Sequence, residues 1–553
     1  MFKKPWVWLV GIVLLGILIR LFTYGFIKIP WIVYDEFTYL DTARQIIRGN
    51  FTSVFNRDQL YPGGWPLILT TFVGYFHDPN VQYKAALIVT MVLSSLVPVC
   101  AYIMTGSLTV ALLTSFYPPL FVYSSSILSE TAYTLLLFGA VVMFREMVRD
   151  DLRSKWQIVL SGVIFGFVLY YISLTRSFGI IHIPALLISW GAFHFFTRRN
   201  TSLLVKKNIG AFVLIAVVMY MVSGLIVRQF TVSPGKLYEQ MPYITALQLV
   251  ISKPLLFMRL LQNEAIIVLV SLFWILPIFF AKRTKESMEK KEWHEVLTRI
   301  FLVLALLASV ALTVAHMAKT VQNNSQYLIF SRYIDPTLTV LFAYSLGDLF
   351  HWIKTHDKKW KLPLWWVGII GYFLIYLRLG YYFGQYKFGN TMPVYFLSLI
   401  KSNFFFYPML IGFVVTMLVA IWRKWRRLLY MTIVVFFVYQ SVIAIRFTTD
   451  VPRYVQNKHY MVISEWQQAL AQPGNSTPLC LMPQALWGES YYLYHFLHPY
   501  QYLKYCDSFG QNRPKWFIIS AKSTDPVPKG CEFTFGFSLS GGDGLFYCPK
   551  GMK

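Results

Sequence analysis

Charge is scarce in this chain. Only 14% of its 553 residues are charged, and 25 are acidic. A soluble chain of this length would divide into several domains and cover them with more charge, so that class is excluded. There is no Walker loop, no dinucleotide-type glycine pattern and no His-rich metal motif, which leaves a nucleotide-powered pump or a soluble nucleotide-sugar transferase without support. No internal repeat is visible, and charges do not gather in mid-span. Both absences weigh against a transporter or lipid flippase, which would show repeated halves and mid-span charge. A small-residue cleavage site is also missing after the first apolar stretch, from Pro5 to about Ile27. That stretch therefore reads as a retained span with a cytoplasmic N-terminus.

Hydrophobic residues are abundant, at 56% of the chain, and the mean hydropathy is +0.52. Apolar runs of about 20 residues recur, the length a bilayer core requires. The reading is an α-helical polytopic membrane protein. Its spans fall at about 5–27, 83–104, 106–123, 127–147, 157–174, 178–197, 208–228, 264–281, 300–317, 335–353, 363–380, 403–422 and 428–446. The net charge of +25 sits in short clusters between them: Lys3–Lys4, Arg145 to Lys155, Arg198–Arg199 with Lys206–Lys207, Lys282 to Lys291, Lys354 to Lys361 and Arg423 to Arg427. From a cytoplasmic start, this succession of about thirteen crossings puts every cluster inside and the C-terminus outside, as the positive-inside rule asks. Nucleic-acid contact is not needed to explain the charge.

The division is a membrane domain over 1–446, whose first external loop is 28–82, and an external domain over 447–553. Within the first loop, Asp35 to Arg48 carries Phe37, Leu40, Ala43 and Ile47 at helical spacing, as in a helix lying flat on a membrane surface. Trp65 to Phe76 is apolar but too short to cross, and reads as an interfacial or re-entrant helix. The tail reads as a small α/β domain: helices over 461–471 and 486–496, and strands over 477–482, 516–520 and 533–539. Four of the five cysteines, Cys480, Cys506, Cys531 and Cys548, lie there. An even number in an external domain suggests disulfides, with three connectivities open. Cys531 and Cys548 flank a hairpin, but a tight turn at Gly541–Gly542 would not set them opposite each other.

Adjacent carboxylates Asp35 and Glu36 follow the first span directly. They could cap the following helix and complement its dipole, and a carboxylate so fixed is also a well-oriented general base. Glu130 opens the fourth span on the same side, where it could position an acceptor or a divalent cation. A divalent cation stays open, and no cofactor is required. Arg176 and Arg332 lie at outer span ends, against the basic trend. Such arginines are either snorkelling anchors or a pair that neutralises a phosphate. His316 and Lys319 are external too and could assist; Arg57 and Lys84 are weaker candidates. Aromatic residues make up 18% of the chain, mostly interfacial belt and packing. A subset, Tyr34, Tyr61, Trp65, Trp487 and Tyr491, could stack on a sugar ring.

Four blocks together resemble the GT-C class of membrane glycosyltransferases. They are Tyr34-Asp-Glu-Phe-Thr-Tyr-Leu-Asp-Thr-Ala-Arg through Gly49, Tyr61-Pro-Gly-Gly-Trp-Pro-Leu, Ser129–Glu130, and Ser331-Arg-Tyr-Ile-Asp-Pro. The branch is that of protein O-mannosyltransferases and the lipid A aminoarabinose transferase. The resemblance implies an inverting transfer, on the external face, from a polyprenyl-phosphate-linked sugar to a glycan, lipid or protein acceptor. It places the catalytic aspartate at Asp35, the later carboxylate of the outer cavity at Glu130, and phosphate-binding cations at Arg176 and Arg332. The aminoarabinose transferases carry a lysine before the proline of the second block, where this chain has Leu60-Tyr61-Pro62, which argues against their substrate. An oligosaccharide ligase or polymerase of the same class is the alternative within it.

Overall fold

The computed structural model describes residues 5–27, 33–49, 63–76, 78–149, 154–196, 203–229, 248, 251–272, 275–320, 328–329, 331–355, 387–388, 406–422 and 425–470, with short strands beyond. The helices are α1 Pro5–Tyr24, α2 Val33–Ile47, α3 Gly64–Val73, α4 Pro79–Thr105, α5 Leu108–Ser115, α6 Pro118–Tyr123, α7 Ser129–Arg149 and α8 Lys155–Thr175. They continue as α9 His182–Phe196, α10 Leu203–Gln229, α11 Pro254–Ser271, α12 Ile275–Glu289, α13 Trp293–Thr320, α14 Asp335–Thr355, α15 Phe406–Trp422 and α16 Arg426–Leu470. Among the described residues, eight helical segments are long and apolar enough to cross a membrane.

Local chemistry sets the boundaries. Asp78 caps α4 by accepting from the Asn80 and Val81 amides, and Gly106, at φ 65°, ends it. Ser154 and Gln157 form a reciprocal capping box at the start of α8. Helix α8 packs on α10 through glycines. A side chain at Gly162 would lie 2.9 Å from Ile215, and one at Gly166 would strike the Ala216 carbonyl. Small residues at this spacing let membrane helices approach backbone to backbone.

Several spans differ from the sequence expectation. The 106–123 span is two short helices, because Pro118–Pro119 cannot continue α5 but can open α6 at its first turn. Arg20 of α1 stitches this break. It is fully buried and donates to the Ser115 carbonyl at 2.6 Å and to Ser124 Oγ at 3.1 Å, so a carbonyl left over at the end of α5 is satisfied. The 264–281 span straddles the junction of α11 and α12. The last expected span and the 461–471 helix are one element, α16, whose 45 residues give a length of about 67 Å, over twice a bilayer core of roughly 30 Å. Helix α2 is covered by protein on more than its apolar face. Phe37, Leu40 and Ala43 are buried as expected, Ile47 is exposed, and Asp35, Glu36, Thr38, Tyr39 and Thr42 on its other faces are buried too. The span at 363–380 lies outside the described residues.

Strand β1, Leu328–Ile329, pairs in parallel with β2, Lys387–Phe388, joining two loops read as external. In the tail, β3 Leu479–Leu481, β4 Lys504–Tyr505, β5 Trp516–Ser520, β6 Glu532–Gly536 and β7 Asp543–Tyr547 form one sheet in the order β4-β3-β5-β7-β6. Strand β3 runs parallel to both neighbours, and β7 antiparallel to β5 and β6. The hairpin pairs Glu532 with Tyr547. Cys506, Cys531 and Cys548 lie outside the described residues, as does the expected helix at 486–496.

At one end of the bundle, opposite the mouth of α2, a buried ion network ties three helices. Arg299 of α13 holds Asp348 of α14 with two parallel bonds of 2.6 and 2.8 Å. Glu295 of α13 accepts from Arg145 of α7 at 2.6 Å and from the Tyr344 hydroxyl of α14. Arg145 was expected only as a topology anchor; here it is part of the packing. Removing one partner of a buried pair leaves the other charge without compensation. Asp348→Ala is therefore expected to destabilise the detergent-solubilised protein by about 3 kcal/mol or more, read as a lowered thermal midpoint. Arg299→Met combined with Asp348→Leu should recover most of that loss. A midpoint unchanged in Asp348→Ala would refute the network's structural role.

Candidate active site

The opposite end of the bundle gathers the residues singled out by the sequence. Asp35 stands in the first turn of α2 and Glu130 in the first turn of α7. Arg176 is the residue that ends α8, in extended backbone, and Arg332 lies in a 3-10 turn, Ser331–Tyr333, just before α14. All four are buried: Asp35 is 6% exposed, Glu130 0%, Arg176 7% and Arg332 3%.

Arg332 is the bridge. Its Nη1 donates to Asp35, its Nε to Glu130 Oε1, and its Nη2 to Glu130 Oε2 at 3.3 Å. Arg176 Nη1 donates to Glu130 as well. Two carboxylates and two guanidiniums thus meet in one enclosed volume, where burial is tolerable only with mutual pairing. The Arg176 guanidinium also lies 4.4 Å over the Tyr333 ring, and Tyr333 stacks on Phe178 at 4.0 Å. Nearby, Asp335 accepts from the Tyr123 hydroxyl at 2.6 Å, and Tyr39 shares a hydrogen bond of 2.9 Å with Ser129. Burial holds the Tyr39 phenol above its ordinary pKa, so it stays a neutral hydroxyl.

The second glycine of the second block has a steric cause. A side chain at Gly64 would lie 2.5 Å from the Leu174 carbonyl carbon, and the Gly64 carbonyl accepts from the Tyr171 hydroxyl at 2.8 Å. Only a glycine lets α3 rest on the end of α8, one turn from Arg176. Gly179 does the same where the chain folds back. A side chain there would lie 2.6 Å from the Ser173 amide nitrogen.

The remaining candidates separate. Glu36 is buried and accepts from the Ile127 amide at 2.9 Å. Trp65 is buried and donates its indole N–H to the Ile127 carbonyl at 3.3 Å, so it is a packing residue in this structure. Helix α2 carries Tyr34, and α13 carries His316 and Lys319 toward the Arg332 end, but the side chains of all three lie outside the described residues. Arg57, Tyr61, Trp487 and Tyr491 lie wholly outside them. Lys84 is on α4. Sequence reading passed over Arg20. Its signal was a charge inside the first apolar span, a costly placement that calls for a partner.

No protein-family model matches the chain, and no curated protein matches it. Solved structures do. ArnT from Cupriavidus metallidurans bound to undecaprenyl phosphate is similar over 91% of this chain and 86% of its own, with a TM-score of 0.53 at 12% identity. The apo state of the same protein is similar over 90% and 86%, with a TM-score of 0.52 at 12% identity. Such a distant likeness speaks to architecture, and it spans nearly the whole of both chains. This chain therefore has the fold of ArnT, the GT-C membrane fold that its four sequence blocks resemble.

Proposed function

We propose that the chain is an inverting glycosyltransferase that moves a sugar from a polyprenyl-phosphate-linked donor to a glycan, lipid or protein acceptor on the extracytoplasmic face. The observation that carries this reading is Arg332 held between Asp35 and Glu130, with Arg176 on the same Glu130. A lipid-phosphate donor is already activated. Such an enzyme needs a base for the acceptor and fixed cations for the departing phosphate, and the carboxylates and guanidiniums that meet here are groups of those kinds. The fold shared with a protein that binds undecaprenyl phosphate supports the donor class.

In the proposed reaction Asp35 takes the proton of an acceptor hydroxyl or amine as that atom bonds to the anomeric carbon. The bond from that carbon to the phosphate oxygen breaks, and its electron pair leaves with the polyprenyl phosphate. Arg332 and Arg176 hold the departing charge, and a single displacement inverts the anomeric centre. Glu130 keeps both guanidiniums oriented. His316 and Lys319 are further candidates for the phosphate, and Tyr34 and Tyr61 for the sugar. In this reading the chain crosses the membrane about thirteen times from a cytoplasmic N-terminus. The tail sheet is then the core of an external α/β domain. The two buried ion-pair networks described above, around Arg332 and around Arg299, lie at the two ends of the bundle, which suits chemistry at one face better than passage through the middle.

Lipids co-purifying with the detergent-extracted protein give the first check, by mass spectrometry. Wild type should retain a polyprenyl phosphate or its glycosylated form, and Arg332→Ala should lose it; bulk phospholipid alone in both would remove the main support for a lipid-linked donor.

A second expectation follows from the sharing of Arg332. An entering phosphate must compete with Asp35 for that guanidinium. Asp35→Asn should lower transfer by about 10²- to 10⁴-fold, yet bind undecaprenyl phosphate about tenfold more tightly, the scale of one charge-assisted hydrogen bond released. Titration in nanodiscs reads this; weaker binding in Asp35→Asn would contradict the competition.

A further inference from the structure

Asp35 and Glu36 are neighbours in sequence but not in space. Successive residues of a helix point about 100° apart, and only residues three or four apart share a face. On α2 this sends Asp35 to Arg332 and Glu36 to a different element. That element is the turn from Ser124 to Leu128, between α6 and α7, whose next two residues are Ser129 and Glu130.

The turn is held from several sides. Glu36 Oε2 accepts from the Ile127 amide at 2.9 Å, and the Tyr83 hydroxyl lies 3.5 Å from the same oxygen. Trp65 Nε1 donates to the Ile127 carbonyl at 3.3 Å. Arg20 Nε donates to Ser124 Oγ at 3.1 Å. Ile127 thus has both its backbone polar groups bonded, one by a side chain of the first sequence block and one by a side chain of the second. Buried backbone groups outside regular structure need such partners. Three residues on, Glu130 receives both arginines.

We infer that Glu36 is a positioning residue for Glu130 and not a second catalytic carboxylate: with Trp65 it clamps the backbone of Ile127 and so fixes where α7 begins. This rests on the transfer reading above, in which Asp35 alone takes the acceptor proton. What matters at position 36 is an acceptor oxygen for the Ile127 amide, not a negative charge facing the substrate. A neutral amide oxygen of the same length fills that role.

The test compares Glu36→Gln, Glu36→Ala and Trp65→Phe with wild type and Asp35→Asn, all as full chains in nanodiscs. The probe is the radiolabelled polyprenyl-phosphate-sugar fraction extracted from membranes of the expressing cells. Glu36→Gln should keep kcat within about tenfold of wild type, since a neutral acceptor is weaker but correctly placed, and should leave the acidic limb of the kcat–pH profile where it was. Glu36→Ala should lose about 100-fold in kcat, the scale of a misplacement of about 1 Å, with little change in KM. Trp65→Phe, which keeps the ring and removes the N–H, should fall in the same direction by less. A Glu36→Gln protein as inactive as Asp35→Asn, at wild-type thermal midpoint, would overturn the assignment and make Glu36 a working charge. A fully active Glu36→Ala would overturn it from the other side. Should wild type transfer nothing from the fraction and Asp35→Asn match it, the transfer reading falls and this assignment with it; an active wild type keeps the two failures apart.

Discussion

The structure depends on one guanidinium. Arg332 bonds to Asp35 and Glu130, carboxylates 297 and 202 residues away along the chain. None of the three charges has enough water around it to be stable alone. A buried ion left without a partner costs several kcal/mol, whereas a paired one costs little. The start of α2, the start of α7 and the turn before α14 must therefore arrive together or not at all. Arg176, on the same Glu130, adds the end of α8 to this condition. Loops that would otherwise drift are fixed by the requirement that charge be balanced.

The rest of that end of the bundle is arranged to allow it. Gly64 and Gly179 remove side chains where backbones must touch near the end of α8. Arg20 closes the broken span between α5 and α6, so that the turn beyond α6 has a fixed origin. At the other end, the Arg299–Asp348 pair and Glu295 bind α7, α13 and α14 together. Helices α7 and α14 are thus anchored at both ends, and their upper termini carry Glu130 and Asp335. Apolar packing between these helices is non-directional; the ion pairs at either end set the helix registry.

Much of this was legible in the sequence. Asp35, Glu130, Arg176 and Arg332 stood out because charges at span ends on one side are costly and few, and the structure brings all four into contact. The existence of α4, α7, α8, α10, α13 and α14 followed from apolar length, but their ends did not: the caps at Asp78 and Ser154 start α4 and α8 before the apolar runs begin. Pairing was not legible. Nothing in the pattern Asp35–Glu36 says that one side chain meets an arginine and the other a backbone amide, because that depends on what packs against each face. Helix α2 looked amphipathic, yet its polar face is covered by protein, since the hydroxyls and carboxylates there find partners in α7 and beyond. Arg20, Arg299 and Asp348 were visible as charges inside apolar helices, but the bonds from Arg20 to Ser115 and Ser124 and from Arg299 to Asp348 span 49 or more residues, and no local spacing reveals them.

The charge balance of the site bears on its chemistry. Asp35 and Glu130 offset the charges of Arg332 and Arg176 that they bond, so in the resting site these guanidiniums are already paired. On the proposed reading, a phosphate that enters would compete with these carboxylates for the hydrogen bonds of the guanidiniums. Glu130, held by two arginines through both oxygens, is the harder one to displace. Asp35 shares Arg332 with it, the guanidinium that the proposed reading assigns to the donor phosphate. On the proposed reading, donor binding would loosen the carboxylate that must next accept a proton. An Asp35 relieved of its cation is a stronger base, so the base would reach full strength only when the leaving group is already in the grip of Arg332. Such an order would protect the donor from water, because the group able to deprotonate a nucleophile is held back until the donor phosphate is in place.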